Sequence, residues 1–225
     1  MADRIGVIGT GNVGAALGLR LAASGYEVRF GVREGADVDA LLARAGRRAA
    51  AVPAADVAAG ALAVFAAVPA PATVPVAMPL PDGTVLVDCT NPVRWDAGPV
   101  WEPPEEGSVA QAVAVARPGL RVVKAFNVFG AEWHADPLTA AGPVDVPMAA
   151  DDPAAKDVVA AIARAGGFHP VDAGPLRNAR ILEAHAVLWI HLATVGGQGR
   201  DWAFRHLGRP GPARGSVRAR PVGPS

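Results

Sequence analysis

The chain has 225 residues, and its 21 Lys and Arg residues balance 21 Asp and Glu residues, so its formal net charge is zero. Hydrophobic residues make up 51%, which excludes a disordered chain, and a single cysteine excludes a scaffold of internal disulfides. The neutral balance gives no support for broad binding to nucleic acid.

Short apolar runs typical of strands alternate with stretches of helical spacing. The predicted strands cover residues 5–8, 26–32, 62–68, 85–87, 120–126, 144–148 and 168–171. After the first strand, Val13, Leu17 and Leu21 lie on one helical face, and residues 154–165 repeat this spacing. The alternation predicts an α/β protein with a Rossmann-type, doubly wound, mostly parallel sheet covered on both faces.

The C-terminal part of the chain has a different pattern. A long helix is predicted over residues 178–207, and Gly196-Gly197 could bend or interrupt it. Its apolar stripe could cover the sheet edge or pack against a second subunit, and consists of Ile181, His185, Leu188 and Leu192. We expect residues 1–208 to form one domain and residues 209–225, with four Arg and no acid, to form a disordered basic tail.

The most apolar window does not have the composition of a membrane span. Residues 58–80 contain four prolines, which would break a spanning helix. The first residues of the chain lack the layout of a signal peptide. We therefore expect a cytoplasmic protein that binds small molecules and contacts neither membrane nor nucleic acid.

The first strand is followed by Gly9-Thr10-Gly11-Asn12-Val13-Gly14, a G-x-G-x-x-G pattern at the start of the first predicted helix. In this context the pattern predicts a dinucleotide site. Gly9 would make the tight turn, Gly11 would admit the pyrophosphate, and Gly14 would let the helix pack against the strand. The N–H groups at the helix start would bind the phosphates.

The end of the second strand favours NADP over NAD. NAD sites usually place an acid there for the ribose 2′-hydroxyl, whereas this chain has Gly31-Val32 followed by Arg33. Arg33 could bind a 2′-phosphate with two parallel hydrogen bonds. Glu34 keeps NAD as an alternative, and Arg33 could also be an ordinary surface arginine.

Other strands should end on the same edge of the sheet. Val68 and Pro69 form a stiff loop that could back a nicotinamide ring, and Asn91 could bond to a ribose or a carboxamide. The fifth apolar run is followed by the remaining candidates, Asn127, Val128, Phe129, Gly130 and Ala131. Each of these residues is equally explained as an ordinary strand terminator or turn residue.

Other chemistries have little support. Cys89 has no base that can be placed beside it and is better explained as a small buried hydrophobe. The five histidines lack metal-ligand spacing, and there is no G-x-S-x-G sequence. We expect neither acyl transfer nor a metal site.

Four segments together resemble the NADPH-dependent coenzyme F420 oxidoreductase family. They are residues 5–14, 30–33, 124–127 and 171–180, and the similarity extends to about residue 207. The most specific of them contains Asp172-Ala173-Gly174-Pro175-Leu176, which is not a general Rossmann feature. A similar NADPH-binding module occurs in membrane ferric reductases.

The resemblance implies hydride exchange between NADP(H) and the deazaflavin coenzyme F420, by direct ring-to-ring transfer that needs no catalytic acid or base. By similarity, residues 10–13 would hold the pyrophosphate and Arg33 the 2′-phosphate. Val68 and Pro69 would flank the nicotinamide, and residues 127–131 would lie near the deazaflavin. The family also implies a homodimer or a higher homo-oligomer.

Two departures from the family leave alternatives for the second substrate. Val32 replaces a common hydroxyl residue, and Asn127 stands where the best-known deazaflavin enzymes have His. One alternative is an NADPH-dependent reductase of a small carbonyl or imine, with Lys124 or Asn127 polarising the substrate. Another is a non-enzymatic NADPH-binding redox sensor that signals through the basic tail.

Overall fold

The computed structural model describes residues 2–207. Within this part the strands are β1 (Arg4–Ile8), β2 (Glu27–Val32), β3 (Ala49–Pro53), β4 (Ala61–Ala66), β5 (Val85–Asp88), β6 (Val93–Trp95), β7 (Pro99–Trp101), β8 (Arg121–Lys124), β9 (Leu138–Thr139), β10 (Gly142–Pro143), β11 (Asp145–Met148) and β12 (His169–Asp172). The α-helices are α1 (Asn12–Ala23), α2 (Asp39–Ala45), α3 (Thr73–Ala77), α4 (Val109–Ala116), α5 (Ala131–Ala135), α6 (Pro153–Ala165) and α7 (Ala179–Ala193).

Six parallel strands form the central sheet in the order β3-β2-β1-β4-β5-β8. The chain order reverses between β1 and β4, which is where open α/β sheets leave a crevice at the carboxyl ends of their strands. One apolar cluster contains Leu17 of α1 and Ile162 of α6, and a second contains Val113 of α4. Helices therefore cover both faces, and the predicted fold class is confirmed.

Strand prediction fails where side chains carry little signal. The edge strand β3 has the sequence Ala-Ala-Ala-Val-Pro, which has low strand propensity, and its pairing with β2 comes from position in the sheet. The prediction also missed the β6–β7 hairpin. Strands β11 and β12 pair with each other outside the central sheet. Among residues 2–207 their backbone link to it is a bridge between Lys124 and Ala149, the residue after β11, while Val146 and Met148 pack in the same apolar cluster as the sheet.

Helix α7 is shorter than predicted, and its buried face is different. It ends at Ala193, and the glycines at 196 and 197 are followed by a segment that runs back along the helix. Trp202 in this segment packs 5.8 Å from the ring of Trp189. The predicted continuation to residue 207 is therefore wrong.

The predicted apolar stripe of α7 does not form the face that is buried against the rest of the described chain, and its packing against a second subunit stays a prediction. Ile181 and Leu188 are 57% and 49% exposed, whereas the buried face contains Leu182, Glu183, Ala186, Trp189 and Ala193. The sequence pattern did not reveal this face as buried, because one of its residues, Glu183, carries a carboxylate. The expected homo-oligomer stays a prediction, as does the single domain over residues 1–208.

Two further expectations concern the membrane and the tail. No helix among residues 2–207 is both long enough and apolar enough to cross a membrane. The predicted disordered tail, residues 209–225, lies outside the described residues.

Candidate functional site

Two of the three glycines in the turn between β1 and α1 have no room for a Cβ atom. Gly9 has φ +104°, and a Cβ atom added there would lie 2.3 Å from the carbonyl oxygen of Ala67. A Cβ added at Gly14 would lie 1.9 Å from the carbonyl oxygen of Gly9. A Cβ added at Gly11, in contrast, would meet nothing within 4 Å. The turn is therefore tight on the protein side and open at Gly11.

The start of α1 is suited to an anion. Its N-cap residue is Gly11, which has no side chain to bond to the first backbone N–H groups, and no acid lies in the first turn. The first intrahelical bond runs from the N–H of Ala15 to the carbonyl of Gly11, at 2.8 Å. The N–H groups of Asn12, Val13 and Gly14 thus lack intrahelical partners and point from the positive end of the helix dipole.

A cavity of about 510 Å³ lies beyond the carboxyl ends of β1, β2 and β4. Among the residues that line it are several predicted cofactor residues: Gly9, Thr10, Gly11, Arg33, Val68 and Pro69. Arg33 is the only charged residue in this wall, within the part of the chain that the structure describes. The cavity is therefore mostly apolar, with one cation at the β2 end and free N–H groups at the centre.

The arrangement at the end of β2 separates the two dinucleotide alternatives. Arg33 is exposed and has neither an ion pair nor a hydrogen bond with any described residue, so its guanidinium is available to a ligand. Glu34 does not line the cavity. At Gly31 an added Cβ would lie 3.2 Å from Val57 and 3.3 Å from Ala54, so an acid there would fit only if these neighbours shifted. The site therefore fits a 2′-phosphate better than a free 2′-hydroxyl.

A second cavity of about 480 Å³ adjoins the first, and Pro69 lines both. Its wall contains Asn91 from the exit of β5 and Val109 from the start of α4. Glu102 is the only charged residue that lines it within the described chain, and Arg94 pairs with that carboxylate at 3.1 Å. The two cavities together bring the exits of β1, β2, β4 and β5 to one rim.

Asn91 and Asn127 are joined by two hydrogen bonds. Asn91 Nδ2 donates to the carbonyl oxygen of Asn127, and Asn127 Nδ2 donates to Asn91 Oδ1, each at 2.8 Å. Asn127 Nδ2 also donates to the carbonyl of Leu182 in α7, at 3.1 Å. Asn91 therefore lies on the cavity wall, while the buried Asn127 links it to the last helix.

The residues after Asn127 do not form one continuous wall. Val128 lines a third cavity, of about 340 Å³, together with Asp172 and Ala173. Phe129 is buried in the core and stacks on Phe168 with 6.2 Å between ring centroids. Gly130 is the N-cap of α5, and Ala131 faces a separate groove beside α1. Of this segment, Val128 thus has the clearest access to a cavity.

The segment around Asp172 sets the start of α7. Asp172 Oδ1 accepts hydrogen bonds from the N–H of Gly174 at 2.8 Å and from Lys156 Nζ at 2.6 Å. Asn178 Nδ2 donates to the carbonyl of Ala173 at 2.7 Å. These bonds close the turn between β12 and α7, so the most family-specific motif positions the helix that carries Glu183.

Lys124 is in the centre of a buried ionic cluster. Its Nζ donates to Asp88 Oδ2 at 2.8 Å, Glu183 Oε1 at 2.9 Å and the carbonyl oxygen of Thr90 at 2.5 Å. All three charged side chains are fully buried. Because the ammonium has three protons and each has an acceptor, Lys124 has none left for a substrate in this arrangement. The predicted polarising role of Lys124 therefore has no geometric support.

The charges of this cluster depend on one another. Burial alone would lower the pKa of Lys124, but the two carboxylates outweigh it and raise that pKa. Burial raises the pKa of Glu183 despite the neighbouring ammonium. Sequence reasoning missed Asp88 and Glu183, although an acid at the end of an apolar strand and another inside an apolar helix are both unusual.

The other side chains that could act as nucleophiles or metal ligands lie in environments that do not favour either role. Cys89 is buried, and burial raises the pKa of its thiol, so it stays protonated. Burial also lowers the pKa of His134, whose ring nitrogens each lie 3.0 Å from a backbone carbonyl oxygen. Within residues 2–207 no group of three or more His, Cys, Asp or Glu side chains is arranged to hold a metal ion.

The fold and this rim define a Rossmann-type dinucleotide-binding protein. A family model described as NADP oxidoreductase, coenzyme F420-dependent, matches residues 4–92. The F420-dependent NADP reductase of Methanothermobacter thermautotrophicus is 33% identical over 215 residues, a match that spans 85% of this chain and 90% of that protein. The chain belongs to this family of F420-dependent NADP oxidoreductases.

Two further comparisons agree with the assignment. A crystal structure from Arthrobacter sp. FB24, of a candidate F420-dependent NADP reductase, superposes with a TM-score of 0.76 at 30% identity and covers 87% of this chain and 96% of that one. Metalloreductase STEAP3 of Rattus norvegicus is 37% identical over 102 residues. That match covers 45% of this chain and 20% of the metalloreductase, so this chain shares only a module with it.

Proposed function

We propose that this oxidoreductase exchanges a hydride between NADP(H) and the deazaflavin coenzyme F420. The observation that carries the proposal is the first cavity. It joins a glycine turn and a helix N-terminus to Arg33, which is the only charged residue in the cavity wall within the described chain. This wall provides what the pyrophosphate and 2′-phosphate of NADP require.

Different residues of the rim would bind different parts of the dinucleotide. Thr10, Gly11, Asn12 and Val13 would hold the pyrophosphate through the N–H groups of the turn and of α1, and Arg33 would bind the 2′-phosphate. Val68 and Pro69, which follow β4, would flank the nicotinamide. Asn91 supplies an amide on the wall of the second cavity, where it can bond to the ribose or the carboxamide.

The second ring would lie near residues 127–131. Of these, Val128 opens to a cavity with an apolar side formed by Val171, Leu182 and Phe204. Asn127 bonds to both Asn91 and Leu182 of α7, so it would help to hold the binding sites of the two rings at a set distance. The replacement of the family's His by Asn127 makes this part of the site the least conventional.

The chain's role in the reaction is to position the reactants. Bound NADPH would supply a hydride to the deazaflavin ring, and the proton that completes the reduction can come from water, so no proton donor in the protein is required. Val68, Pro69 and the apolar wall would exclude water, and the buried Lys124 and Cys89 would stay unreactive. The charged side chains that line the first two cavities are Arg33 and the paired Glu102, within the described chain. A reductase of a small carbonyl or imine would use a proton donor beside the nicotinamide, and among residues 2–207 the walls of these two cavities contain no His, Lys, Cys or Tyr, whereas His185 and His206 line the third cavity.

The proposal is tested by following deazaflavin absorbance with purified full-length protein. We expect turnover with NADPH, much slower turnover with NADH, and no oxidation of NADPH when the deazaflavin is omitted. Flavin mononucleotide is the matched control acceptor. Failure of turnover in both directions, by a protein that still binds NADPH, would reject F420 as the second substrate.

A further inference from the structure

The structure assigns a positioning role to the buried cluster of Asp88, Lys124 and Glu183: it holds the walls of the second cavity, and Asn91 in particular, in place for the nicotinamide end of the dinucleotide. The inference rests on the proposed binding of NADP(H). It concerns residues that touch neither cavity, so none of the three is offered as a catalytic residue.

The first connection runs from the cluster to Asn91. Asp88 Oδ1 accepts hydrogen bonds from the backbone N–H of Thr90 at 2.9 Å and from its hydroxyl at 2.7 Å. Lys124 Nζ donates to the carbonyl oxygen of the same residue. Three polar groups of Thr90 are thus fixed by the cluster, and the next residue in the chain is Asn91. The direction in which Asn91 leaves β5 is therefore set by the buried charges.

The second connection runs from Glu183 to the opposite wall. Its Oε1 accepts the backbone N–H of Val109, the first residue of α4, at 3.0 Å. Its Oε2 accepts a longer hydrogen bond from Trp101 Nε1 in the β6–β7 hairpin, at 3.4 Å. Val109 lines the second cavity beside Asn91, and so does Glu102, which follows Trp101. One carboxylate thus links α7, α4 and the hairpin.

The sheet itself brings the charges together. Asp88 and Lys124 are register partners at the ends of β5 and β8, so their distance is set by strand pairing. Glu183 reaches them because the turn after β12 places α7 over these strand ends. Strand pairing and the turn before α7 fix all three members, so the cluster adds to the bonds by which Asn127 and Glu102 already hold the loop of Asn91 and Pro92.

The energetics favour positioning over stability. A buried ion cluster is weak evidence for stabilisation, because removing charges from water costs about as much as their attraction returns. Here two carboxylates surround one ammonium, which leaves an excess buried charge. Replacing a buried ion cluster by apolar side chains of similar volume is often neutral or stabilising. The cluster does what an apolar core cannot, because it bonds to named polar groups of Thr90 and Val109.

The experiment compares two ligands that share one half. NADPH reaches both cavities, whereas 2′,5′-ADP carries only the adenine half and the 2′-phosphate near Arg33. For Lys124→Met we expect the dissociation constant of NADPH to rise roughly tenfold or more, and that of 2′,5′-ADP to change by less than about twofold. Both constants come from calorimetry on full-length protein.

A milder variant keeps the test valid if Lys124→Met does not fold. Thr90→Val removes the hydroxyl that bonds to Asp88 and leaves all three charges and the residue's shape intact. It should also raise the dissociation constant of NADPH, by about threefold, and leave the dissociation constant of 2′,5′-ADP unchanged. Ile162→Ala in α6 is the matched control, because it destabilises a distant part of the core and should change neither constant.

The outcomes separate this inference from the proposed function. Equal weakening of both ligands, or no change in either variant, would show that the cluster is structural only and would overturn the inference. A parent protein that binds neither ligand would overturn NADP binding as well. A parent that binds both but does not reduce the deazaflavin would reject the second substrate alone, since neither constant involves it.

Discussion

Asn91 and Asn127 exchange side-chain and backbone hydrogen bonds of 2.8 Å, which join the exits of β5 and β8 at the rim of the second cavity. Asn127 is buried, so its amide depends on this exchange. Asn91→Ala should therefore destabilise the protein by about 1–3 kcal/mol, the cost of unpaired buried polar groups. It should also raise the KM for NADPH.

A control for Asn91 is available in another loop. The hydroxyl of Thr84 also donates to a backbone carbonyl, that of Pro81, at 2.7 Å, and Thr84 lines neither of the first two cavities. Thr84→Ala should lower the thermal midpoint and leave the KM for NADPH unchanged. An equal change in KM for both variants would argue against a role for Asn91 at the cofactor.

Arg33 should determine the preference for NADP over NAD. We expect Arg33→Ala to lose about 1.5–3 kcal/mol of NADP affinity, the range for hydrogen bonds to charged groups, and to leave NAD affinity unchanged. Arg47→Ala is the control, because Arg47 is also exposed but lies outside the cavity wall. Equal affinity of the parent protein for NAD and NADP, measured by calorimetry, would contradict this role.

Two glycines of the turn should fail in different ways. Gly11→Ala should fold normally, because its Cβ would meet nothing within 4 Å, but should weaken NADPH roughly tenfold by filling the space proposed for the pyrophosphate. Gly14→Ala should lose about 1–3 kcal/mol of folding free energy, because its Cβ would lie 1.9 Å from Gly9. Thermal melts and NADPH titrations distinguish the two. A Gly11→Ala protein with unchanged NADPH affinity would count against the phosphate assignment.

Asp152 should make stability depend on pH in acid. It caps α6 through the N–H of Ala155 and pairs with Arg121 at 2.5 Å, and these contacts lower its pKa from 3.8 to about 2. A folded-state pKa below the unfolded value stabilises the protein above pH 3.8, and this contribution is lost as the pH falls towards 2. The difference in thermal midpoint between the parent and Asp152→Asn should therefore be constant near neutrality and shrink below pH 3.8. A difference that did not vary with pH would contradict it.

We expect the exposed side of α7 to form the interface of the homo-oligomer that the family implies. Ile181 and Leu188 are both about half exposed. Leu188→Glu should change the thermal midpoint of a monomer little and lower the mass measured by light scattering. Val115→Glu is the control, because Val115 is an exposed apolar residue of a different helix, α4. An unchanged mass for Leu188→Glu would move the interface elsewhere.

The sequence by itself determined the fold class and the place of the proposed dinucleotide site. Both depend on neighbours in the chain: apolar periodicity selects strand or helix, and a strand, a glycine turn and a helix follow one another within residues 4–23. Arg33 could be found for the same reason, since it directly follows β2. Local chemistry is sufficient there because the backbone turn itself forms the site.

Only the tertiary structure decided which residues come together at the proposed nicotinamide end of the rim. Asp88, Lys124 and Glu183 are separated by 36 and 59 residues, and no spacing rule brings them together. The face of α7 that is buried within the chain was not predicted, because Glu183, an acid, belongs to it and is compensated there by an ammonium from another strand. A charge is read as exposed from sequence, and only packing supplies the partner that allows it to be buried.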